Sequence, residues 1–369
     1  MRNDEKINIC FFSGDITRKG GTERVGTVIA NELTKKQDYN ISFLSLFEEK
    51  EVPSFLIHEK IRRHTLYSKK VSGAKHLLGY IYKIHKFVVR ECIDILIDID
   101  GVLDMYSIPA LIGTKTKLIS WEQFNYYQNP YVSYRKYTRR LAARKADAIV
   151  VLTQEDKGYY TSNLKIKNII KHIYNPIVMN DNANYDINSK VILSVGRMTE
   201  QKGFDYLVDV ANIVLTKHPD WKWNLVGEGE DQEFLENRIR KLKLEDKLIL
   251  CGQVEHIEQW YEKTGIYVMT SRYEGFGLVL TEAKSYHVPC VSFRCKAGPS
   301  EIILDGVNGY LVDCFDIEQM AEKICDLIED EKLRMEFSNR SLEDTEKYSI
   351  ENVISEWEKL FKELISDIK

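Results

Sequence analysis

The chain has 369 residues, 44% of them hydrophobic and 29% charged, with few prolines and a formal net charge of −4, a make-up that excludes disordered and collagen-like classes. That length suits two domains, each large enough to bury its own core. No apolar run nears the roughly 18 residues that would span a bilayer, and MRNDEKINICFFSG sets acids before an apolar run too short for a signal peptide, so a cytoplasmic location is expected.

In chain order, INICFF reads as a buried strand, followed by a glycine-rich turn and the helical TERVGTVIANELTKK. ISFLSLF, IDILIDID, TKLISW and ADAIVVLT read as further strands, separated by basic helical stretches. This βαβ rhythm predicts a parallel sheet covered on both faces. NPIVMNDNANYDINS is polar and aperiodic and supplies a linker, 176–190. The rhythm restarts at VILSVGR and continues through WKWNLVG, KLILCG, IYVMTS and PCVSF, each followed by a turn or helix. The expected fold class is therefore α/β, two Rossmann-like doubly wound domains at 1–175 and 191–348. Their ligands should bind outside the strands' carboxyl ends, in a cleft between facing edges. The final segment, 349–369, places Val353, Trp357, Leu360 and Leu364 at helical spacing and reads as a packing helix, free to return to the first domain.

Charge divides the chain unevenly. Residues 1–175 carry 29 Lys and Arg against 19 Asp and Glu, a net +10, which leaves −14 on the remainder. Residues 60–90 hold nine cations and no acid, interleaved with Tyr67, Leu77, Leu78, Tyr80, Ile81, Tyr82 and Phe87, and residues 130–146 add six more cations. Basic amphipathic helices with aromatics suit the headgroup layer of an anionic membrane, and a solvated face is the alternative. No nucleic-acid module accompanies them, so no nucleic-acid partner is expected. The seven cysteines are scattered, as buried reduced thiols would be, and Cys290 with Cys295 lacks the second ligand pair of a zinc site.

Two stretches carry chemistry. In VGRMTEQKG, a strand delivers Arg197 to its carboxyl edge and Lys202 precedes Gly203 at a helix start. Two cations beside a helix N-terminus suit a diphosphate, although a basic surface loop would read the same way. In SRYEGFGLVLTEAKSY, Gly275 and Gly277 let the backbone approach a ligand, and a helix opens near Leu278. Glu274 can accept hydrogen bonds from hydroxyls placed against that loop. Glu282, inside the helix, needs a partner, for which a ribose diol or a cation would serve. Asp98 and Asp100 in DID end an apolar strand, which argues against a metal-binding Asp-x-Asp. VGEGED lacks the third glycine of a dinucleotide fingerprint, and Pro299 fits a helix's first turn, with Ser300 and Glu301 as capping residues.

SRYEGFGLVLTEA resembles the Glu-x7-Glu signature of the retaining glycosyltransferases of the GT-B fold, family four. VGRMTEQKG is similar to that family's diphosphate loop, GGTER at 20–24 to its N-terminal glycine loop, and AGPSEIILDGVNGYLV to its segment after the next strand. The resemblance implies a UDP-sugar held by the second domain and a lipid-linked or polysaccharide glycan acceptor held by the first, with transfer of a hexose or N-acetylhexosamine and no cofactor or metal. It implies that Arg197 and Lys202 neutralise the diphosphate, that Glu282 holds the ribose, and that Glu274 with Gly275, Phe276, Gly277 and Leu278 meets the transferred sugar. By the same resemblance Val254 in CGQV meets the base, and Gly20 and Gly21 approach the donor phosphates and the acceptor. Where relatives often carry a histidine, SWEQFNYY has Gln123, which can bind a hydroxyl but cannot shuttle a proton. A nucleotide-sugar isomerase or hydrolase of this fold, and a non-catalytic partner subunit, are the alternative readings. Anchored acceptors would explain a basic first half, working at the inner face of the cell membrane.

Overall fold

The computed structural model describes residues 6–73, 75–128, 133–180 and 183–366. Residues 181–182 of the expected linker, 130–132 of the second basic stretch, Ala74 of the first, and 1–5 and 367–369 lie outside the described residues. The chain forms two compact units, one of Met1–Pro176 with Ile350–Lys369 and one of Ile177–Ser349.

The first unit is built on seven parallel strands: β1 (Ile7–Ser13), β2 (Tyr39–Ser45), β3 (Arg62–Thr65), β4 (Ile95–Ile99), β5 (Lys117–Trp121), β6 (Ala148–Val151) and β7 (Ile169–His172). Their order is β3-β2-β1-β4-β5-β6-β7, with Phe11 in register with both Phe43 and Ile97. Apolar residues run without alternation along β1, β4 and β6 because helices cover both faces. Cys10, Phe12, Leu96 and Ile149 point to the face covered by α2 (Leu77–Arg90) and α4 (Arg135–Lys145), with α3 (Asp104–Ala110) between them. On the other face Phe11 lies 5.8 Å from Phe43, and α1 (Gly21–Thr34) packs against the last helix, Ile350–Ser366. That helix sets Trp357 edge-on to Trp121 at 5.0 Å and Phe361 against Tyr39 at 5.8 Å. α5 (Gln154–Asn163) completes the unit between β6 and β7.

Six parallel strands form the second sheet: β8 (Val191–Val195), β9 (Lys222–Val226), β10 (Leu248–Leu250), β11 (Ile266–Met269), β12 (Cys290–Phe293) and β13 (Gly309–Val312), in the order β10-β9-β8-β11-β12-β13. Between them run α6 (Phe204–Lys217), α7 (Gln232–Lys241), α8 (Glu258–Tyr261), α9 (Leu278–Ser285) and α10 (Pro299–Ile302), and after them α11 (Ile317–Glu329) and α12 (Glu331–Asn339). Trp223, Leu225, Val268 and Val291 meet Leu207 and Val214 of α6 and Ile324 of α11 in one buried core. In each sheet the order reverses beside the first strand, between β1 and β4 and between β8 and β11. At such a point the crossovers leave in opposite directions and open a crevice at the carboxyl edge.

The basic stretches are used differently from their sequence reading. Of the seven apolar and aromatic residues interleaved with the cations of 60–90, only Leu78 and Tyr82 are exposed; Tyr80 and Phe87 are core residues, and Tyr67 packs on Tyr80 at 4.9 Å. A helix alternates faces every 3.6 residues, so interleaving in sequence separates cations and aromatics in space. Of the six cations in α4, Arg135 and Arg139 are buried.

Candidate functional site

The carboxyl edge of the second sheet is made of loops laced together across the β8/β11 reversal. After β8, Arg197 is exposed and Met198 is fully buried, its N–H donating to Glu228 O after β9 at 2.9 Å. The chain then makes a 3-10 turn, Glu200–Lys202, that ends at Gly203 with φ 62°; a Cβ there would stand 2.1 Å from the Thr270 carbonyl oxygen, so only glycine fits. Arg272 N–H donates to Gln201 O at 2.8 Å, and Gln201 Nε2 to Tyr273 O at 3.2 Å. The result holds Lys202 against the loop after β11. Its Nζ lies 2.7 Å from Glu274 Oε1, which also accepts from Ser271 Oγ at 2.6 Å. Both side chains are largely withdrawn from water, at 16% and 7% exposure, so each ion depends on the other for its charge balance.

Gly227 explains the incomplete Gly-x-Gly of VGEGED. Its φ is 137°, and a Cβ would stand 1.9 Å from Gly196 O; Gly229 makes a similar approach to Met198 O. These glycines pack one carboxyl-edge loop against another instead of admitting a nucleotide phosphate. The next loop joins in, for Gly227 N–H donates to Gly252 O at 2.8 Å and Gln253 N–H to Glu228 Oε1 at 3.3 Å, placing Val254 half-buried beside it. Phe276 is buried edge-on against Tyr348 at 5.5 Å, and Gly277 is the residue from which α9 springs. Glu282, one turn into α9, is half-buried and accepts from Tyr261 Oη at 2.9 Å, while the Tyr261 ring stacks on Tyr286 at 5.5 Å. Pro299 opens α10 as expected, and Gly298 is its N-cap residue.

Arg197, Lys202, Val254, Glu274, Gly275, Phe276, Gly277, Leu278 and Glu282 all belong to these loops or to α9, whereas Gly20, Gly21 and Gln123 belong to the first unit. Gly20 is the residue before α1, and a Cβ on it would meet the carboxylate of Glu23. Gln123 follows β5, is nearly buried, and its Nε2 has no hydrogen-bond partner among the described residues.

Around Gln123 the first unit's carboxyl edge carries a buried charge network that the sequence reading missed. Asp100 takes φ 100°, costly for a non-glycine residue, and its carboxylate is gripped by both terminal nitrogens of Arg135. Arg135 also lies 3.5 Å from Glu122, and Arg139 lies 3.1 Å from it. Arg139 donates as well to Tyr126 O at 2.6 Å, Phe124 O at 3.4 Å and Asn125 O at 3.1 Å, so one guanidinium holds the whole turn after Gln123. Neither Asp98 nor Asp100 is arranged as a metal ligand pair: Asp98 is fully buried, bonded by Ser107, and shares a hydrogen bond with Asp104. Burial pushes Asp98 up to about 7 and Asp104 well above the carboxylate range, and it raises Asp156 to about 7 despite the Tyr126 N–H on its carboxylate.

The family Glycosyl transferases group 1 matches residues 180–344, the unit that carries the laced edge. An uncharacterized glycosyltransferase of Haemophilus influenzae is 35% identical over 95% of this chain and 98% of its own. The chain belongs to the group 1 glycosyltransferases. This glycosyltransferase is also 29% identical to the amylovoran biosynthesis glycosyltransferase AmsD of Erwinia amylovora, over 93% of this chain and 96% of that one. Among solved structures, Staphylococcus aureus TarM superposes with a TM-score of 0.83 at 18% identity, covering 98% of this chain and 100% of its own. HepE of Anabaena with UDP and glucose gives 0.78 at 18% identity, over 96% and 99%. These likenesses show the fold, the GT-B fold of two Rossmann-like domains. The glycosyltransferase is thus an enzyme of a family that characteristically works without a metal.

Tyr261 and the Arg135–Glu122–Arg139 cluster are the side chains at these edges that sequence reasoning did not pick out. Tyr261 sits in a four-residue helix 21 positions before its partner Glu282, which gives it no motif spacing. Arg135 and Arg139 are i, i+4 on a helix that reads as a uniform basic surface, and only the placement of Glu122 on a neighbouring strand end makes them buried ligands.

Proposed function

We propose that this enzyme moves a hexose or N-acetylhexosamine from a UDP-sugar to a lipid-linked or polysaccharide glycan acceptor, with retention at the anomeric carbon. The observation that carries the reading is the Lys202–Glu274 pair spanning the β8/β11 reversal, with Arg197 exposed beside it. A diphosphate entering this edge offers Lys202 a stronger anion than one carboxylate, and Arg197 supplies a second cation. Lys202 then exchanges partners, and Glu274 is released to accept hydrogen bonds from hydroxyls of the sugar. Glu282, oriented by Tyr261, takes the ribose; Val254 takes the base; and the Gly275–Leu278 backbone with the opening of α9 lies along the sugar and phosphates.

Chemistry follows from charge. As the sugar becomes oxocarbenium-like, negative charge grows on the leaving diphosphate, and fixed cations lower the barrier at that point. The acceptor attacks on the face from which the diphosphate departs, which retains configuration, and the leaving phosphate takes the acceptor's proton. No side-chain base is needed, consistent with Gln123 where a histidine would be the alternative. The first unit, taken as residues 1–175, receives the acceptor through Gly20, Gly21 and Gln123, and residues 191–348 receive the donor. Relatives support these substrate classes: AmsD serves amylovoran biosynthesis, and a Campylobacter jejuni relative, 29% identical over 94% of this chain, is an N-acetylgalactosaminyltransferase acting on a PP-undecaprenol-linked glycan. TarM and HepE were each solved with UDP.

We further propose that the enzyme works at the inner face of the cell membrane. α2, α3 and α4 pack side by side and leave Leu78, Tyr82 and Tyr137 exposed among Lys86, Arg140 and Arg144. Among the described residues no helix is long and apolar enough to cross a membrane, so this contact would be peripheral. Activity assayed over a panel of UDP-sugars, with donor alone as a control, tests the reading. Transfer to a lipid-linked glycan is the expected result; a new nucleotide sugar formed from donor alone would replace it with an isomerase.

A further inference from the structure

The opposite edge of the second sheet carries a cluster that the transfer reaction does not use. α6 starts beside Lys202 at the carboxyl edge and runs back along the sheet, ending at Lys217, so that His218 lies just before β9 begins at Lys222. α11 packs against α6 and brings Cys325 and Glu329, i and i+4 on one face, to that end. A nitrogen of His218, the sulfur of Cys325 and a carboxylate oxygen of Glu329 all lie within 4.8 Å of one another, and this is the one such trio among the described residues. His218 Nε2 is shielded from water and lies 3.1 Å from Glu329 Oε1, yet it makes no aligned hydrogen bond there.

We propose that His218, Cys325 and Glu329 form a binding site for a zinc-class divalent cation, with water as the fourth ligand, clamping the end of α6 to α11. The donor set decides the class of ion: imidazole and thiolate are ligands of zinc and its transition-metal neighbours, whereas magnesium and calcium require oxygen throughout. Tetrahedral ligands at zinc's bond lengths stand about 3.3–3.8 Å apart, so the trio closes by rotating side chains through about 1 Å. Lys217 Nζ lies 2.6 Å from Glu329 Oε1. That pair is more than half exposed on both sides, contributes little, and gives way to a doubly charged ion bound by two further ligands. The Cys325 thiol proton leaves to solvent as the sulfur is metallated, so binding tightens as pH rises. This site lies at the far end of α6 from Lys202 and serves the fold of the second unit, not the transfer step.

The test uses the full chain stripped with a chelator, the Cys325→Ser and His218→Ala variants, and zinc chloride alone as titrant. One equivalent should bind with a Kd in about the micromolar range, and each variant should bind at least about tenfold more weakly. Cobalt substituted for zinc should give a thiolate charge-transfer band that Cys325→Ser abolishes. Zinc should raise the melting temperature of the parent above its own metal-free value and should not do so for Cys325→Ser or His218→Ala, while the sugar turnover of the folded variants matches the parent's. Absence of zinc uptake by the parent, or uptake of equal affinity by both variants, overturns the assignment.

Discussion

The two sheets share a topology and a carboxyl-edge crevice, yet the edges are built from opposite materials. At the β8/β11 edge the loops are joined by backbone hydrogen bonds, close glycine packing and two ion pairs, Lys202–Glu274 and Arg272–Asp205. At the first unit's edge, Asp98, Asp104, Glu122, Arg135, Arg139 and Asp156 are all buried, Glu122 between the two arginines and the three aspartates bonded by Ser107, Ser120 and the Tyr126 N–H. An edge that is to hold a charged ligand keeps its own charges few and exchangeable. An edge that is to present neutral hydroxyl-binding groups can spend charge on holding its loops still.

That contrast can be broken, and the largest effect should come from the scaffold side. Arg139→Gln removes the clamp on residues 124–126 and leaves Glu122 with only Arg135 at 3.5 Å, so urea unfolding should show a loss of about 3–5 kcal/mol. A loss under about 1 kcal/mol would mean the network is not what holds this edge. Lys202→Ala should do the reverse, leaving a folded protein by circular dichroism with turnover lower by roughly 3–4 kcal/mol, a hundred- to a thousandfold. Undiminished turnover in Lys202→Ala and Glu274→Ala together would remove the donor site from this edge.

A third effect is in pH. Asp98 and Asp156 sit at about 7 in the folded chain, above the ordinary carboxyl value they recover on unfolding, so the folded state holds more protons between those limits. Their contribution is therefore fully present in acid and is lost as pH rises through about 7. Melting temperature should fall from pH 5 to pH 8, and Asp156→Asn should flatten that slope by on the order of 1–3 kcal/mol. A slope identical in the variant would show that Asp156 ionises like a surface carboxylate. The smallest change sharpens the donor side: Tyr261→Phe removes the 2.9 Å bond to Glu282 and should weaken UDP by about 0.5–1.5 kcal/mol. The binding of 2′,3′-dideoxy-UDP should not change, and equal weakening of both ligands would argue against Glu282 at the ribose.

Much of the fold is legible in the amino-acid sequence. The parallel sheets follow from apolar runs such as ICFF and VILSV, which alternate with helices and are long enough to be unambiguous. β3 and β7 are not legible, because RRHT is short and mostly exposed, IIKH is short and half-exposed, and both owe their strand state to a neighbour in register. Loop chemistry in VGRMTEQKG and SRYEGFG shows in sequence because glycines and charges there are local requirements. Pairings that depend on distant elements, such as Tyr261 with Glu282 or Arg139 with Glu122, leave no local trace.

The last helix has a consequence for how the protein is made. Trp357 and Phe361 complete the packing of Trp121 and Tyr39, residues synthesised more than two hundred positions earlier. The first unit therefore leaves the ribosome with one flank uncovered and cannot close until residues 350–366 have been made. Loss of residues 350–369 should injure the first unit, not the second that precedes them in sequence, and the nascent first unit must be shielded from aggregation until they emerge.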